Sequence, residues 1–522
     1  MASASWIRAR RTLPRRWDAI VIGAGVGGLV AASLLARRGG LRVLVLERHY
    51  ALGGLTQTFS RRRFRFEVGV HYVGDVGHRR APLGRLMAEA TGDRLEWQPL
   101  PRAFDRISFE GEEVRIAGGL DALRDAYLRF APGERVAIDR YLEDLRRCAR
   151  EGPAYLLADP ARRGRAPFRR FSDVTTAAHL EALGLSPRLA ALATTHFGNY
   201  GALPEESSFA AHAMATAHYL GGAFFPVGGG DAISGALVAA LEERGGRALV
   251  RAPVASIRRD GDRALGVRME DGTELDAPVV ISAAGARQTY GALLDEDAPE
   301  VGALREEVRA IGPSGAHTAL YVGLSRTAAE LGLRGENRWL STRAELRAPA
   351  RLERWIAGEE GPSGLFVSFP SANDPRFETR HPGRATLVAS VLQPFSPWSG
   401  WTQTEAQRRP AGYEQLKARL ARDVLAKVRA LAPEIEGAIE HVEMSSPLST
   451  RAFTGHPSGE TCGLLHSPAR FRSRVGPRTP LRGLYLSGQD AWLCGVGGAA
   501  FGALACASLV LRRDLMRAVL FG

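Results

Sequence analysis

Residues 18–54, DAIVIGAGVGGLVAASLLARRGGLRVLVLERHYALGG, decide the fold. An apolar run of strand length, 19–22, ends in Gly23-Ala24-Gly25-Val26-Gly27-Gly28. A helical segment rich in small residues follows over 29–38. A second apolar strand, 43–46, then closes on Glu47. This is a βαβ unit with a GxGxxG dinucleotide fingerprint inside it. Gly23 allows the tight turn, Gly25 lets the backbone approach a pyrophosphate, and Gly28 lets helix and strand pack closely. The helix N-terminus favours the anionic group. Glu47, roughly 20 residues further on, is placed to accept hydrogen bonds from a ribose. A chain with 59 glycines produces some GxGxxG matches by chance. Both strands, the helix and the acid together predict a bound dinucleotide.

A length of 522 residues exceeds one ordinary core and predicts at least two domains. Hydrophobic residues at 45% and charged residues at 24% are those of a globular protein. Cys148, Cys462, Cys494 and Cys506 show no metal-ligand or CxxC spacing. That pattern fits a reducing cytoplasm better than a disulfide framework. The net charge of +13 is almost all arginine. No zinc-finger, RNP or basic-zipper pattern accompanies it, so nucleic acid is excluded as a partner. Residues 1–16 lack the apolar core of a secretory signal and read as a disordered basic arm suited to anionic lipid.

Working outward, Gly53, Gly54 and Thr56 return towards the nucleotide after the second strand. Residues 64–73, FRFEVGVHYV, alternate like a strand and carry His71 and Tyr72. From 81 to 222 the pattern changes to helices (83–90, 120–130, 136–149) with a hairpin over 105–116. An arginine-rich stretch, 161–171, reads as a basic loop. His196, His212 and His218 cluster with Tyr200 and Tyr219, without HxxxH or HExxH spacing, so no metal site is assigned. FFPVGGG at 224–230 introduces a helix over 232–243, followed by strands at 248–257, 265–269 and 279–282. Near the end, 483–490 is a buried strand delivering Asp490. Residues 492–511 carry no charge, a length that would span a bilayer. Their glycines and alanines favour instead a buried helix pointing its N-terminus at a cofactor. The tail, 511–521, fits equally a membrane surface or the core.

The expected fold class is therefore α/β. Three segments, 17–80, 223–290 and 478–522, form a discontinuous Rossmann-like domain. Two segments, 81–222 and 291–477, form an inserted α+β substrate domain.

The blocks VIGAGVGG (21–28), FEVGVHYVG (66–74), HYLGGAFFPVGGG (218–230), FVSFPSANDP (366–375), SSPLSTRAF (445–453) and GLYLSGQDAWLCGVGGAAFGALACASLVL (483–511) span nearly the whole chain. Together they resemble the FAD-dependent family of phytoene desaturases, carotenoid isomerases and all-trans-retinol 13,14-reductases, with the retinol saturase branch nearest. The resemblance implies an amine-oxidase-like and GDI-like architecture. It implies FAD as cofactor, held by Gly23, Gly25, Gly28, Glu47, Arg48, Gly53, Gly54, Thr56, Val254, Gly488, Asp490, Gly497 and Gly498. Asp490 would hold the ribitol and diphosphate end, and the helix near Gly497 would face the flavin pyrimidine. His71, Tyr72 and Tyr219 become the candidate proton donors near the isoalloxazine. There are departures: Leu55-Thr56 replaces a Cys pair usual in retinol saturases, Glu67 replaces Asp, and Val227 replaces an Arg.

The implied activity is reduction, formation or isomerisation of a carbon–carbon double bond in a hydrophobic polyene or isoprenoid, by hydride transfer at flavin N5. No second βαβ fingerprint is present, so NAD(P)H or another external electron donor or acceptor would act without a dedicated domain. The implied location is cytoplasmic and peripheral to a membrane, where such substrates partition. Two readings compete: an amine-oxidase-like flavoenzyme on a polar substrate, and a non-catalytic escort of GDI-like fold.

Overall fold

Runs such as Ala19–Ile22 and Val43–Leu46 are apolar at every position and buried at every position. Such strands have no solvated face, which requires a sheet covered on both sides. The computed structural model describes residues 4–295, 298–342, 349–406 and 408–521. In it these runs form a six-stranded, all-parallel sheet. We label its strands β1 (Ala4–Ser5), β2 (Ala19–Ile22), β3 (Val43–Leu46), β4 (Arg247–Val250), β5 (Val279–Ser282) and β6 (Leu484–Leu486). Their spatial order is β1-β4-β3-β2-β5-β6, so the sheet draws on widely separated parts of the chain.

Three helices pack beside it: α1 (Val26–Gly39), α2 (Asp231–Glu242) and α3 (Gly495–Leu511). Helix α1 is buried continuously from Val26 to Ala36, and its glycines and alanines let α2 and α3 lie close against it. The uncharged segment after Trp492 is thus a buried helix. Among the described residues no helix is long and apolar enough to cross a membrane. After α3, a short helix, Leu515–Leu520, buries Leu515 and Val519 in the same core, while Phe521 stays exposed.

A second, seven-stranded sheet runs in the order Ile439–Ser445, Ala316–Leu324, Ala385–Gln393, Leu365–Ser368, Asn337–Ser341, Ala103–Phe109, Glu112–Ala117. It is antiparallel except where Asn337–Ser341 pairs with Ala103–Phe109. The helix Leu120–Phe130 packs against its edge strand Glu112–Ala117. Arg135–Leu157 packs on that helix, and Phe209–Ala217 packs on Arg135–Leu157.

Four expectations need correction. The amino-terminal arm is folded over its described residues, 4–16, and residues 1–3 lie outside them: β1 pairs with β4, and Trp6, Leu13 and Trp17 are buried in the core beneath β2 and β3. Its tryptophans outweigh its arginines. The strand expected over 64–73 breaks after Glu67, because Val68 to Tyr72 leave the ladder to line the cavity described below. The strand expected over 248–257 divides at Arg251, whose φ of 53° turns the chain, and at Pro253, which lacks an N–H for a ladder. The arginine-rich stretch is not a simple solvated loop. Arg163 is buried and donates to the carbonyls of Phe471 and Ser473, and Phe168 and Phe171 are buried with it.

Candidate active site

A cavity of about 1480 Å³ opens along the C-terminal ends of β2 and β3 and continues to the seven-stranded sheet. Sites for one drug-sized ligand run to about 1,000 Å³, so this one has room for a cofactor and a second molecule.

At one end it is lined by Gly23, Gly25, Glu47, Arg48, Gly53, Gly54, Thr56 and Val254. A methyl group added at Gly25 would project into open space, as a backbone cradle for a ligand requires. The return loop closes over this cradle. Gly53 donates its N–H to the Ala24 carbonyl at 2.8 Å, and the Thr56 hydroxyl donates to the Gly53 carbonyl at 2.9 Å. Glu47 accepts the Ala24 and His49 N–H groups, each at 2.8 Å. Burial raises its pKa while those two N–H groups draw it down. A carboxylate oxygen can accept more than one hydrogen bond, so Glu47 keeps capacity for a ribose hydroxyl.

The segment around α3 completes the cradle. Gly488, Gly497 and Gly498 all line the cavity. A Cβ on Gly27 would lie 2.3 Å from the Gly488 Cα, so two backbones touch where a side chain would separate them. Gly28 stays out of the cavity; a Cβ there would meet the Gly23 carbonyl at 2.0 Å, which is the close helix–strand packing expected of it.

Asp490 directly follows Gly488 and Gln489, which both line the cavity. It does not line the cavity, and its carboxylate accepts the Ala286 N–H at 2.7 Å and the Leu464 N–H at 2.8 Å. Those bonds tie three chain segments together next to Gly488, and each oxygen keeps capacity for a further hydrogen bond, as in Glu47.

At the other end the cavity meets His71, Tyr72 and Tyr219. The two tyrosine rings stack at 4.6 Å between centroids. Phe366 lies against Tyr72 and Trp339 against Phe366, and Leu340, Val391 and Leu392 extend the apolar wall. The three candidates differ chemically. His71 pairs with the Ser368 hydroxyl at 2.8 Å, and burial, aided by His317, lowers its pKa to about 4. It is neutral at pH 7 and is no ready acid. Burial pushes Tyr219 up instead. Burial, then Asp105, push Tyr72 well above the ordinary phenol value, so it holds its proton.

Tyr72 is also the best connected. Its hydroxyl donates to Asp105 at 3.4 Å and accepts from the Asn199 side-chain amide at 3.0 Å. The Asp105 carboxylate is fully buried and also accepts from Asn337 at 3.0 Å and pairs with His196 Nε2 at 2.9 Å. The His196 side chain keeps 24% exposure. A hydrogen-bonded line therefore runs from the partly exposed His196 through Asp105 to Tyr72. Sequence reading misses Asp105, Asn199 and Asn337: each is an ordinary residue of a strand or turn, and only the fold brings them together.

The remaining histidines separate. His212 lies in the core between the Tyr141 and Tyr200 hydroxyls, and His218 Nε2 accepts the Gly74 N–H at 2.9 Å beside Gly497. Burial lowers them to about 3 and about 4, respectively.

A glycine cradle for a dinucleotide that continues unbroken into an apolar chamber defines a flavoprotein oxidoreductase of amine-oxidase-like architecture. The chain belongs to the flavin-containing amine oxidoreductase family, whose model matches residues 26–511. It is 33% identical to the all-trans-retinol 13,14-reductase of Danio rerio, over 96% of this chain and 87% of that protein. To the chloroplastic prolycopene isomerase 1 of an Oncidium hybrid cultivar it is 26% identical, over 95% and 84%. The solved structure of wild-type putrescine oxidase bound to putrescine covers 95% of this chain and 99% of its own, with a TM-score of 0.63 at 17% identity, a likeness of fold. FAD is the cofactor of this family, and the open space at Gly25, the Gly27–Gly488 contact and the cavity's size fit it.

Proposed function

We propose that the chain reduces a carbon–carbon double bond of a hydrophobic polyene or isoprenoid. The reverse desaturation and a redox-neutral isomerisation are the related reactions of the same site. The observation that carries this reading is the Tyr72–Asp105–His196 line ending in an apolar chamber. Adding hydrogen across a double bond needs a hydride and a proton; an isomerisation with no net electron transfer has no such need of a solvent-fed proton.

FAD, when bound, supplies the hydride chemistry. The chain's residues do the rest. Gly23, Gly25, Gly53, Gly54 and Gly488 hold the dinucleotide by close backbone approach. Phe366, Trp339, Val391 and Leu392 exclude water and align the hydrocarbon. Tyr72 gives its phenolic proton to the carbon that does not receive hydride, with Tyr219 stacked on it as a guide. His196 and Asp105 then restore the proton. The apolar lining favours a hydrocarbon over a polar amine.

The substrate is delivered from a lipid surface. Leu157 and Phe521 line the cavity and are 50% and 77% exposed, so the rim is apolar, and Arg150, which lines it too, suits anionic headgroups. For reduction the electrons come from an external donor, and for the reverse reaction they leave to an external acceptor, in either case without a dedicated domain in this chain.

The decisive experiment mixes anaerobic, dithionite-reduced protein with retinol, carotenoid and phytoene. Re-oxidation of the flavin with a saturated product is expected. Altered double-bond geometry with the flavin still reduced would identify an isomerase, and no change with any polyene would overturn the substrate class.

A further inference from the structure

Cys462 and Cys494 come from separate segments, yet both line the cavity at its reactive end. Cys494 is the N-cap of α3, the helix that brings Gly497 to the cofactor site. Both sulfurs lie within hydrogen-bonding reach of one carbonyl, that of Asn199, at 3.6 Å and 3.9 Å. Each thiol also shifts the titration of the other. The same Asn199 donates its side-chain amide to Tyr72, so the sulfur pair sits one residue from the proton donor. On its other side the pair meets Thr461, whose hydroxyl is 3.9 Å from the Cys462 sulfur and pairs with His317 Nδ1 at 2.8 Å.

Cys148 and Cys506 differ from this pair. Neither lines the cavity, and burial pushes both thiols up. Within the pair, the Cys494 thiol and the Thr461 hydroxyl draw Cys462 down, while Cys494 is pushed up by its neighbour. Losing one proton leaves one thiolate held by one thiol, the state from which exchange proceeds.

We propose that Cys462 and Cys494 form a redox-active dithiol that carries electrons from an external dithiol donor to the FAD site. The proposal rests on the reductive reading above. When the pair is oxidised, the donor reduces the Cys462–Cys494 disulfide by exchange and becomes a disulfide itself. The protein dithiol then closes its S–S bond again, releasing two electrons and two protons to oxidised FAD. The double bond finally takes those two electrons and two protons as a hydride from the reduced cofactor and a proton through Tyr72. One donor dithiol is oxidised for each double bond reduced. This supplies the electron route that the sequence, with one nucleotide fingerprint only, leaves open.

Two measurements on the full-length protein test it. First, diamide-treated protein is unfolded, alkylated and mapped by mass spectrometry. A linked pair of peptides containing Cys462 and Cys494, reversed by dithiothreitol, is expected, with Cys148 and Cys506 alkylated throughout. Four alkylated cysteines after diamide, or a link to another cysteine, would overturn the proposal. Second, dithiothreitol is added anaerobically to flavin-loaded protein. Bleaching of the flavin absorbance is expected, slowed by about 100-fold in Cys462→Ser and Cys494→Ser, because each lacks half of the exchange couple. Dithionite should bleach all three proteins alike, which shows that the variants are folded and loaded. Equal bleaching by dithiothreitol in all three would overturn the electron route. Colourless protein that still forms the disulfide would refute the flavin reading itself, a result distinct from either.

Discussion

The hydroxyl of Ser487 donates to the carbonyl of Gly27 at 2.8 Å, across a sequence separation of 460 residues. One position further on, Gly488 lies so close to Gly27 that no side chain fits between them. The cofactor cradle is therefore a seam between two distant segments of the chain.

Gly27→Ala should open that seam. A Cβ 2.3 Å from the Gly488 Cα must push the backbones apart, at a cost of about 1–3 kcal/mol. The ratio of flavin to protein absorbance should fall steeply and the melting temperature with it. Ser487→Ala removes only one hydrogen bond, worth about 1 kcal/mol, and should keep its flavin. A Gly27→Ala protein with full flavin content would contradict the seam.

Tyr72→Phe keeps the ring stacked on Tyr219 and removes the proton. Turnover of a polyene should fall by about 100- to 10,000-fold, the usual worth of a positioned general acid, with flavin content unchanged. His196→Gln should give a smaller loss, because it interrupts the refilling of Tyr72 and not the transfer itself. Wild-type turnover in Tyr72→Phe would remove the tyrosine from the mechanism.

Glu67 makes stability depend on pH. Its carboxyl is buried and accepts the Gly230 N–H at 2.9 Å, and burial pushes its pKa from 4.5 to about 8. The folded state binds this proton more tightly than the unfolded chain does. The stability it contributes is complete below pH 4.5 and is lost as the pH rises through about 8. In Glu67→Gln the amide oxygen can accept the same N–H and does not titrate. Chemical denaturation across that range should show the variant gaining on the wild type as pH rises; parallel curves would contradict the assignment.

Leu157→Asp combined with Phe521→Asp should weaken binding to phosphatidylserine vesicles by at least about tenfold, since each apolar side chain contributes about 1.5–3 kcal/mol when buried. Turnover of detergent-solubilised substrate should be unaffected. Unchanged co-sedimentation with vesicles would show that the rim does not dock there.

The cofactor half of this site is legible in the sequence because its chemistry is local. Gly23, Gly25, Gly28 and Glu47 sit at fixed offsets in one βαβ unit, and the apolar runs at β2, β3 and β5 declare a buried sheet. The reactive half is not. Asp105 and Asn337 meet only because Asn337–Ser341 pairs in parallel with Ala103–Phe109, a register that no local pattern encodes, and His196 reaches Asp105 from the separate turn Thr195–Asn199. Asp490 follows a buried strand, as the sequence suggests, and the fold adds two backbone N–H groups that fix its carboxylate. The ordered amino-terminal arm is concealed by its charge, since Trp6 and Trp17 bury while the arginines around them stay solvated.

The parallel sheet that places β6 next to β5 also sets a timetable for biosynthesis. The ribosome makes Gly23 to Glu47 early, but the partner surface of Gly27 emerges some 460 residues later. Until then the nascent protein has the recognisable half of a flavin site and no means of closing it. The complete cradle therefore exists only in a chain that has been read through to α3.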